Sequence, residues 1–281
     1  MQADQPTSYS SPVDKLLTYG DARLGPANWP DYLELGFGPE HIPDLIRMAT
    51  DEALNTAETE DVEVWAPAHA WRTLGQLHAE AAIKPLLDLL EEPWMEYDDW
   101  FMEELPEVIA MIGPVALPLL AEYLADLSRD EDARINVTTS VRKIAEHWPD
   151  AREQSVALLM GQLEKFDENE PDVNGFLVLA LVDLKAQEAA PLIKRAFDAD
   201  AVDPMIMGDW DDVQVELGLK SGEEVAQKRA STSTETLTLP GVNEAYLPHV
   251  SSETSRKQEA VSHKKTKSKM AKQSRKKNRK R

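Results

Sequence analysis

Two stretches of this sequence concentrate side chains that can do chemistry. EEPWMEYDDWFMEELPE, residues 91–107, sets tryptophans among carboxylates. HKKTKSKMAKQSRKKNRKR, residues 263–281, holds 11 Lys/Arg in 19 residues and no aromatic. In the first, helical spacing puts Phe101, Leu105, Val108 and Ile112 on one face as core. Trp100, Glu103, Glu104 and Glu107 then share another face, after a loop carrying Trp94, Tyr97, Asp98 and Asp99. Aromatic rings beside several carboxylates suit a Lys/Arg-rich peptide, held by charge pairing and cation–π contact. These eight residues are therefore the expected protein-binding set. The alternative is a solvated acidic helix face with its tryptophans wedged between elements as packing.

The second stretch suits a polyanion. Its basic residues are Lys264, Lys265, Lys267, Lys269, Lys272, Arg275, Lys276, Lys277, Arg279, Lys280 and Arg281. Such side chains without aromatics neutralise phosphate backbones, with affinity from counterion release and no base reading. Stacking on single-stranded bases needs aromatic platforms that the tail lacks. RNA or the ribosome is the expected partner; anionic lipid, an import receptor and simple solubility are the other readings.

Catalytic and metal-binding patterns are not found. His41, His69, His78, His147, His249 and His263 are scattered, with no HExxH among them. His69 and His78, near Trp71 and Leu74, read as helix-end or hydrogen-bonded surface histidines; Trp65 and Trp71 read as core or repeat-edge residues. Nucleophile elbow, glycine-rich phosphate loop and EF-hand spacings are absent. With 51 Asp/Glu, chance carboxylate pairs are inevitable and none identifies an acid/base couple. No catalytic residue, metal or cofactor is expected.

What must position these residues is a set of helices. Five apolar quadruplets have i, i+3, i+4, i+7 spacing: Ile42/Leu45/Ile46/Ala49, Ile83/Leu86/Leu87/Leu90, Ala116/Leu119/Leu120/Tyr123, Val156/Leu159/Met160/Leu163 and Ala189/Leu192/Ile193/Ala196. Their second members recur after 41, 33, 40 and 33 residues, and Pro43, Pro85, Pro118 and Pro191 sit just ahead of four of them. Proline belongs in a first helical turn, where its missing N–H is no loss. Further helical segments alternate with these: AHAWRTLGQL, FMEELPEVIAMI, INVTTSVRKIAEH and VNGFLVLALVDL. Helix pairs at such a period cannot bury their apolar faces alone and must stack. The expected fold is all-α, an α-solenoid of about five helix pairs with essentially no sheet.

LGQLHAEAAIKPLLDLLEE and IAMIGPVALPLLAEYLADL resemble HEAT-like repeats, particularly the short bacterial type of the phycobilisome-lyase branch. GPEHIPDLIRMATDEALN and VEVWAPAHAWRTLGQL resemble a bacterial HEAT-like family of unassigned function. The resemblance covers about residues 12–219 and implies the fold, since such repeats serve scaffolds and enzymes alike. The leading expectation is a non-enzymatic scaffold holding a protein partner on its acidic body; the alternative, from the repeat resemblance alone, is a bilin lyase or isomerase acting on phycobiliproteins. A HEAT-like DNA glycosylase would need a cationic groove, which the acidic body opposes. Members of the unassigned family often end in a Cys-rich zinc motif, whereas this chain has no cysteine and ends in basic residues.

Charge divides the chain. Residues 251–281 hold 13 Lys/Arg and 2 Asp/Glu, net +11, and residues 1–250 hold 17 and 49, net −32. An asymmetry of this kind marks an interaction tail. The Ser/Thr- and charge-rich composition after 219 leaves too little apolar surface to offset ordering entropy. The expected organisation is a disordered 1–11, a helical body over 12–219, and a disordered linker and basic tail over 220–281. Zero cysteines exclude disulfides and fit a reducing compartment. No signal peptide is read at the start, and the longest apolar runs fall short of the roughly 20 residues of a membrane helix. A cytoplasmic location is expected.

Overall fold

The computed structural model describes residues 8–57, 61–95 and 99–236, with backbone alone for Asp99 and 232–236. Among them there is no strand. The chain opens with a strap of 3-10 turns and loops over residues 8–41, and then forms α1 (Ile42–Ala49), α2 (Glu52–Asn55), α3 (Ala66–Gln76) and α4 (Ile83–Asp88). There follow α5 (Asp99–Ile112), α6 (Leu117–Ala125), α7 (Glu131–His147), α8 (Arg152–Leu163), α9 (Pro171–Asp183) and α10 (Ala190–Asp198). The short α11 (Pro204–Met207) and α12 (Trp210–Glu216) close this body. Prolines occupy the first turn of α1, α3, α6, α9, α10 and α11. Asp51, Asp130, Asp203 and Asp209 cap α2, α7, α11 and α12 through their side chains.

The helices form two rows. α1, α3, α5, α7, α9 and α11 pack in that order, each on the next, and α6, α8, α10 and α12 form a second row behind them. Every second-row helix from α4 to α10 is entered through a three-residue 3-10 turn: Glu80–Ala82, Pro114–Ala116, Pro149–Ala151 and Gln187–Ala189. The apolar quadruplets line this stack: Leu45, Ile83, Leu86, Leu120, Leu159, Ile193 and Ala196 are fully buried. Four pairs are complete, α3/α4 to α9/α10. α1 is also entered through a 3-10 turn, but among the described residues no α-helix precedes it, and it packs beside α3 at the head of the first row. The strap stands where its partner helix would be.

The turn between rows has a recurring construction. His78, Lys185, Asp200 and Gly218 have positive φ, and the next residue's N–H returns to a carbonyl five residues back: Ala79 to Leu74, Ala186 to Leu181, Ala201 to Ala196, Leu219 to Gln214. This is the Schellman closure. Gly113 also has φ +105, but Pro114 follows it and has no N–H to return, so the turn is open and α5 meets α6 at 106°. Side chains then tie neighbouring pairs at three of the junctions. His78 Nδ1 reaches Met111 O, Arg152 reaches the carbonyls of Leu184 and Lys185, Lys185 Nζ reaches Glu216 O, and Gln187 Nε2 reaches Leu217 O.

Pro106 lies inside α5 and is compensated. Its missing N–H frees the carbonyl of Met102, four residues back. Asn136 on α7 donates Nδ2 to that carbonyl at 2.6 Å.

The strap is held by side chains of α3. His69, Arg72 and Gln76, at i, i+3 and i+7, make one polar stripe facing it. His69 Nε2 meets Gly20 O at 2.9 Å, Arg72 Nη2 donates to Ala22 O at 2.6 Å, and Gln76 bonds Pro30 O and the Tyr32 N–H, each at 2.8 Å. A carbonyl only accepts, so His69 Nε2 carries the proton and Nδ1 accepts from the Tyr32 hydroxyl at 2.6 Å. Burial, with the Arg72 charge beside it, holds the His69 pKa below the usual imidazole value. His69 is thus a core residue and not the surface histidine expected from the sequence.

Both ends of the body differ from expectation. Disorder expected over 1–11 does not extend to Tyr9, which is buried, bonds Asp51 at 3.1 Å and lies under the Arg47 guanidinium. Disorder expected from 220 gives way to a further helix, α13 (Gly222–Thr236), in a separate unit. Glu223 and Glu224 in its first turn complement the helix dipole, and Glu224 stands i, i+4 to Lys228. The expectations for 1–7 and 237–281 lie outside the described residues. No single helix among the described residues is long and apolar enough to cross a membrane. The bent pair of Trp100–Ile112 with Pro114–Ala125 passes that test by composition, and its helices are the core helices α5 and α6.

Candidate functional site

The acidic face expected on α5 is taken apart by the fold. Phe101, Leu105, Val108 and Ile112 are buried as expected. Glu104, however, is also buried: it accepts from Arg72 Nε at 2.8 Å, from Trp71 Nε1 at 2.9 Å, and from Arg72 Nη2. Glu107 is engaged by Lys143 Nζ at 2.7 Å and His147 Nε2 at 2.8 Å. The physical reason is that α5 lies between α3 and α7, so both of its flanks are contact faces. Glu103 alone of the three glutamates is exposed. Trp100 is half-buried, edge-on to Trp65 at 6.0 Å, and Trp94 packs half-buried against the core. Tyr97 and Asp98 lie outside the described residues, as does the side chain of Asp99. Of the described side chains, Glu104 and Glu107 are thus engaged within the fold and do not share an open face with Glu103. The basic positions from Lys264 to Arg281 also lie outside the described residues.

A different concavity opens at the other end of the same helices. A groove of about 390 Å³ lies where α3, α5 and α7 end. Trp29, Asp31 and Leu33 of the strap form one wall, and Gln76 and His78 follow α3. Met111 lies near the end of α5, and His147 and Trp148 end α7. The arrangement is rigid. Trp148 donates Nε1 to Ala110 O at 2.8 Å, and its ring meets His78 edge-on at 6.1 Å. A Cβ added to Gly113 would lie 3.2 Å from that ring, a tight approach, and the positive φ of +105 is what favours glycine there. Trp29 donates Nε1 to Leu24 O at 3.0 Å and covers the Arg72 guanidinium at 4.7 Å.

Two of the exposed large apolar side chains line this site. Leu33 is 46% exposed and Trp148 39%, and Val115, two residues beyond Gly113, is also exposed. A large aromatic held in place by a hydrogen bond, yet open to solvent, is pre-organised for contact. The groove offers no nucleophile with a base beside it. Among the described residues no group of three or more His, Cys, Asp or Glu converges to hold a metal ion. Sequence reasoning missed this site because His78 and Trp148 are 70 residues apart and neither belongs to a charged run. The available signals were GP at 113–114, a forced opening of the turn, and a tryptophan preceding a helix-stopping proline at 148–149.

Comparison with protein-family models, curated proteins and solved structures finds no match to this chain.

Proposed function

We propose that the chain is a non-enzymatic adaptor with two separate contacts, a protein partner on the helical body and a polyanion on the basic tail. The groove at the ends of α3, α5 and α7 carries the first part: it is concave, partly apolar, and built around an exposed tryptophan fixed at its indole N–H. The two-row stack of helix pairs is in keeping with a HEAT-like solenoid, an architecture that presents extended surfaces for binding. The body's net −32 against the tail's +11 favours partners of opposite charge at the two ends, with RNA or the ribosome on the tail and a cytoplasmic setting.

Affinity purification of the full chain, a variant lacking 263–281, and Trp148→Ala tests this division. The expected result is that RNA is lost only with the tail and that the protein partner is lost only with Trp148→Ala. Retention of every bound protein by Trp148→Ala, or of RNA by the tail-less variant, overturns the corresponding half.

A further inference from the structure

The groove's donors are committed within the fold. His78 Nδ1 faces the carbonyl of Met111, which only accepts, so the proton sits on Nδ1 and Nε2 of the neutral ring is left with its lone pair. His147 Nε2 faces the Glu107 carboxylate, which also only accepts, so the proton on that nitrogen is committed there. Asp31 adds an exposed carboxylate, with Oδ1 turned to the N–H groups of Leu33 and Glu34. The Gln76 amide is the one lining side chain with donors besides the imidazoles and indoles, and it is committed to Pro30 and Tyr32. Both indole N–H groups are committed as well, to Leu24 O and Ala110 O. What remains for an occupant is the His78 lone pair and the Asp31 carboxylate beside an aromatic wall. The dipoles of three helices ending here add partial negative charge.

We propose that this groove takes an arginine side chain of a partner protein, presented next to an aliphatic residue. The guanidinium is planar, carries five donors and no acceptor, and stacks on aromatic faces, which matches a ring flanked by acceptors. Trp148 is the stacking surface, because one face of Trp29 already covers Arg72. Asp31 pairs with the charge at the rim, and Leu33 and Met111 receive the aliphatic neighbour. Lysine has the charge without the plane and binds more weakly. An acidic side chain meets only lone pairs and like charge. The proposal rests on the adaptor reading and narrows it to one chemistry.

The test uses the full chain and three peptides, acetyl-Gly-Leu-Arg-Leu-Gly-amide and its counterparts with Lys or Glu in place of Arg, followed through the indole ¹⁵N–¹H signals. The Arg peptide should shift the Trp148 signal, the Lys peptide should do so at higher concentration, and the Glu peptide should leave it in place. Trp148→Ala should weaken Arg-peptide binding about tenfold, read on the Trp29 signal. Asp31→Asn keeps the Oδ1 acceptor that orders the loop and removes only the charge, so it tests the rim pairing without loss of fold; about a threefold loss is expected. Equal binding of the Glu and Arg peptides, or Arg binding indifferent to both substitutions, overturns the proposal. If no peptide binds while Trp148→Ala still releases the protein partner in affinity purification, this proposal fails and the adaptor reading stands.

Discussion

Arg72 and Arg134 are both fully buried, both project from first-row helices, and both reach a glutamate more than thirty residues away, yet they hold different things. Arg72 pairs with a carboxylate that is itself buried, and its Nη2 also reaches the strap carbonyls of Ala22 and Leu24. Arg134 pairs with Glu170, whose side chain is 40% exposed, and bonds Asn169 Oδ1 and Leu124 O. The difference follows from what each must satisfy. The strap has little regular hydrogen bonding of its own, so its backbone carbonyls need donors from outside. The segment at Arg134 joins helices that satisfy most of their own backbone, and its charge pair opens to water. The first arginine is a structural replacement for a missing helix; the second is a staple between two present ones.

Breaking the two pairs should show this most clearly. Glu104→Ala leaves a buried guanidinium uncompensated and should cost about 3–5 kcal/mol in chemical denaturation. Glu170→Ala also leaves a buried guanidinium, but one that keeps Asn169 and Leu124 and whose vacated side is open to water, so it should cost less, about 1–2 kcal/mol. Equal losses would erase the distinction.

A second variant sharpens it. Replacing Arg72 and Glu104 together by methionine should restore much of the stability lost by Glu104→Ala, because a buried ion pair gives little net advantage over packed apolar groups. The strap carbonyls would still lack their donor, so limited proteolysis should cut the strap of the double variant first. A strap as resistant as the parent's would mean that Arg72 is not what holds it.

Asn136 extends the comparison to a single carbonyl. Asn136→Ala should cost about 1–3 kcal/mol by leaving Met102 O buried without a donor. Adding Pro106→Ala restores an N–H to that carbonyl and should recover part of the loss, which denaturant midpoints of the two variants will show.

The smallest effect is expected on acidification. The folded-state pKa of His69 lies below the ordinary 6.5, so its contribution to stability is fully present above that pH and is lost as pH falls through the lowered value. Melting temperature should drop as the pH is lowered from 7 to 5, and His69→Gln should flatten the part of the drop that accompanies loosening of the strap. An identical pH profile in that variant would place the sensitivity elsewhere.

How much of this could be read from the sequence depends on the range of the interactions involved. The second-row helices were legible because their apolar spacing and first-turn prolines act within one or two turns, and Leu86, Leu120, Leu159 and Ile193 are buried as that spacing requires. The order of the strap was not. Tyr32 and Ala22 are fixed by His69 and Arg72, 37 and 50 residues away, and nothing in the strap's own Pro- and Gly-containing composition signals those partners. The acidic face of α5 was misread for a related reason. Spacing places Glu103, Glu104 and Glu107 around a helix correctly, but only the neighbours α3 and α7 decide that two of them turn inward. The groove required both kinds of knowledge at once, a local turn at Gly113 and contacts between three helices and the strap.

The side-chain ties that run, at three junctions, from one pair to the carbonyl ends of the next have a thermodynamic consequence. In a stack held by apolar contact alone, an end pair can peel away and leave its neighbour's backbone unchanged. Here, removing one pair strips donors such as His78, Arg152 and Gln187 from the carbonyls they cap. Each loss raises the free energy of the pair that stays behind, so the nearest-neighbour coupling is strong relative to the stability of any single pair. The row should therefore melt in one cooperative transition and not pair by pair.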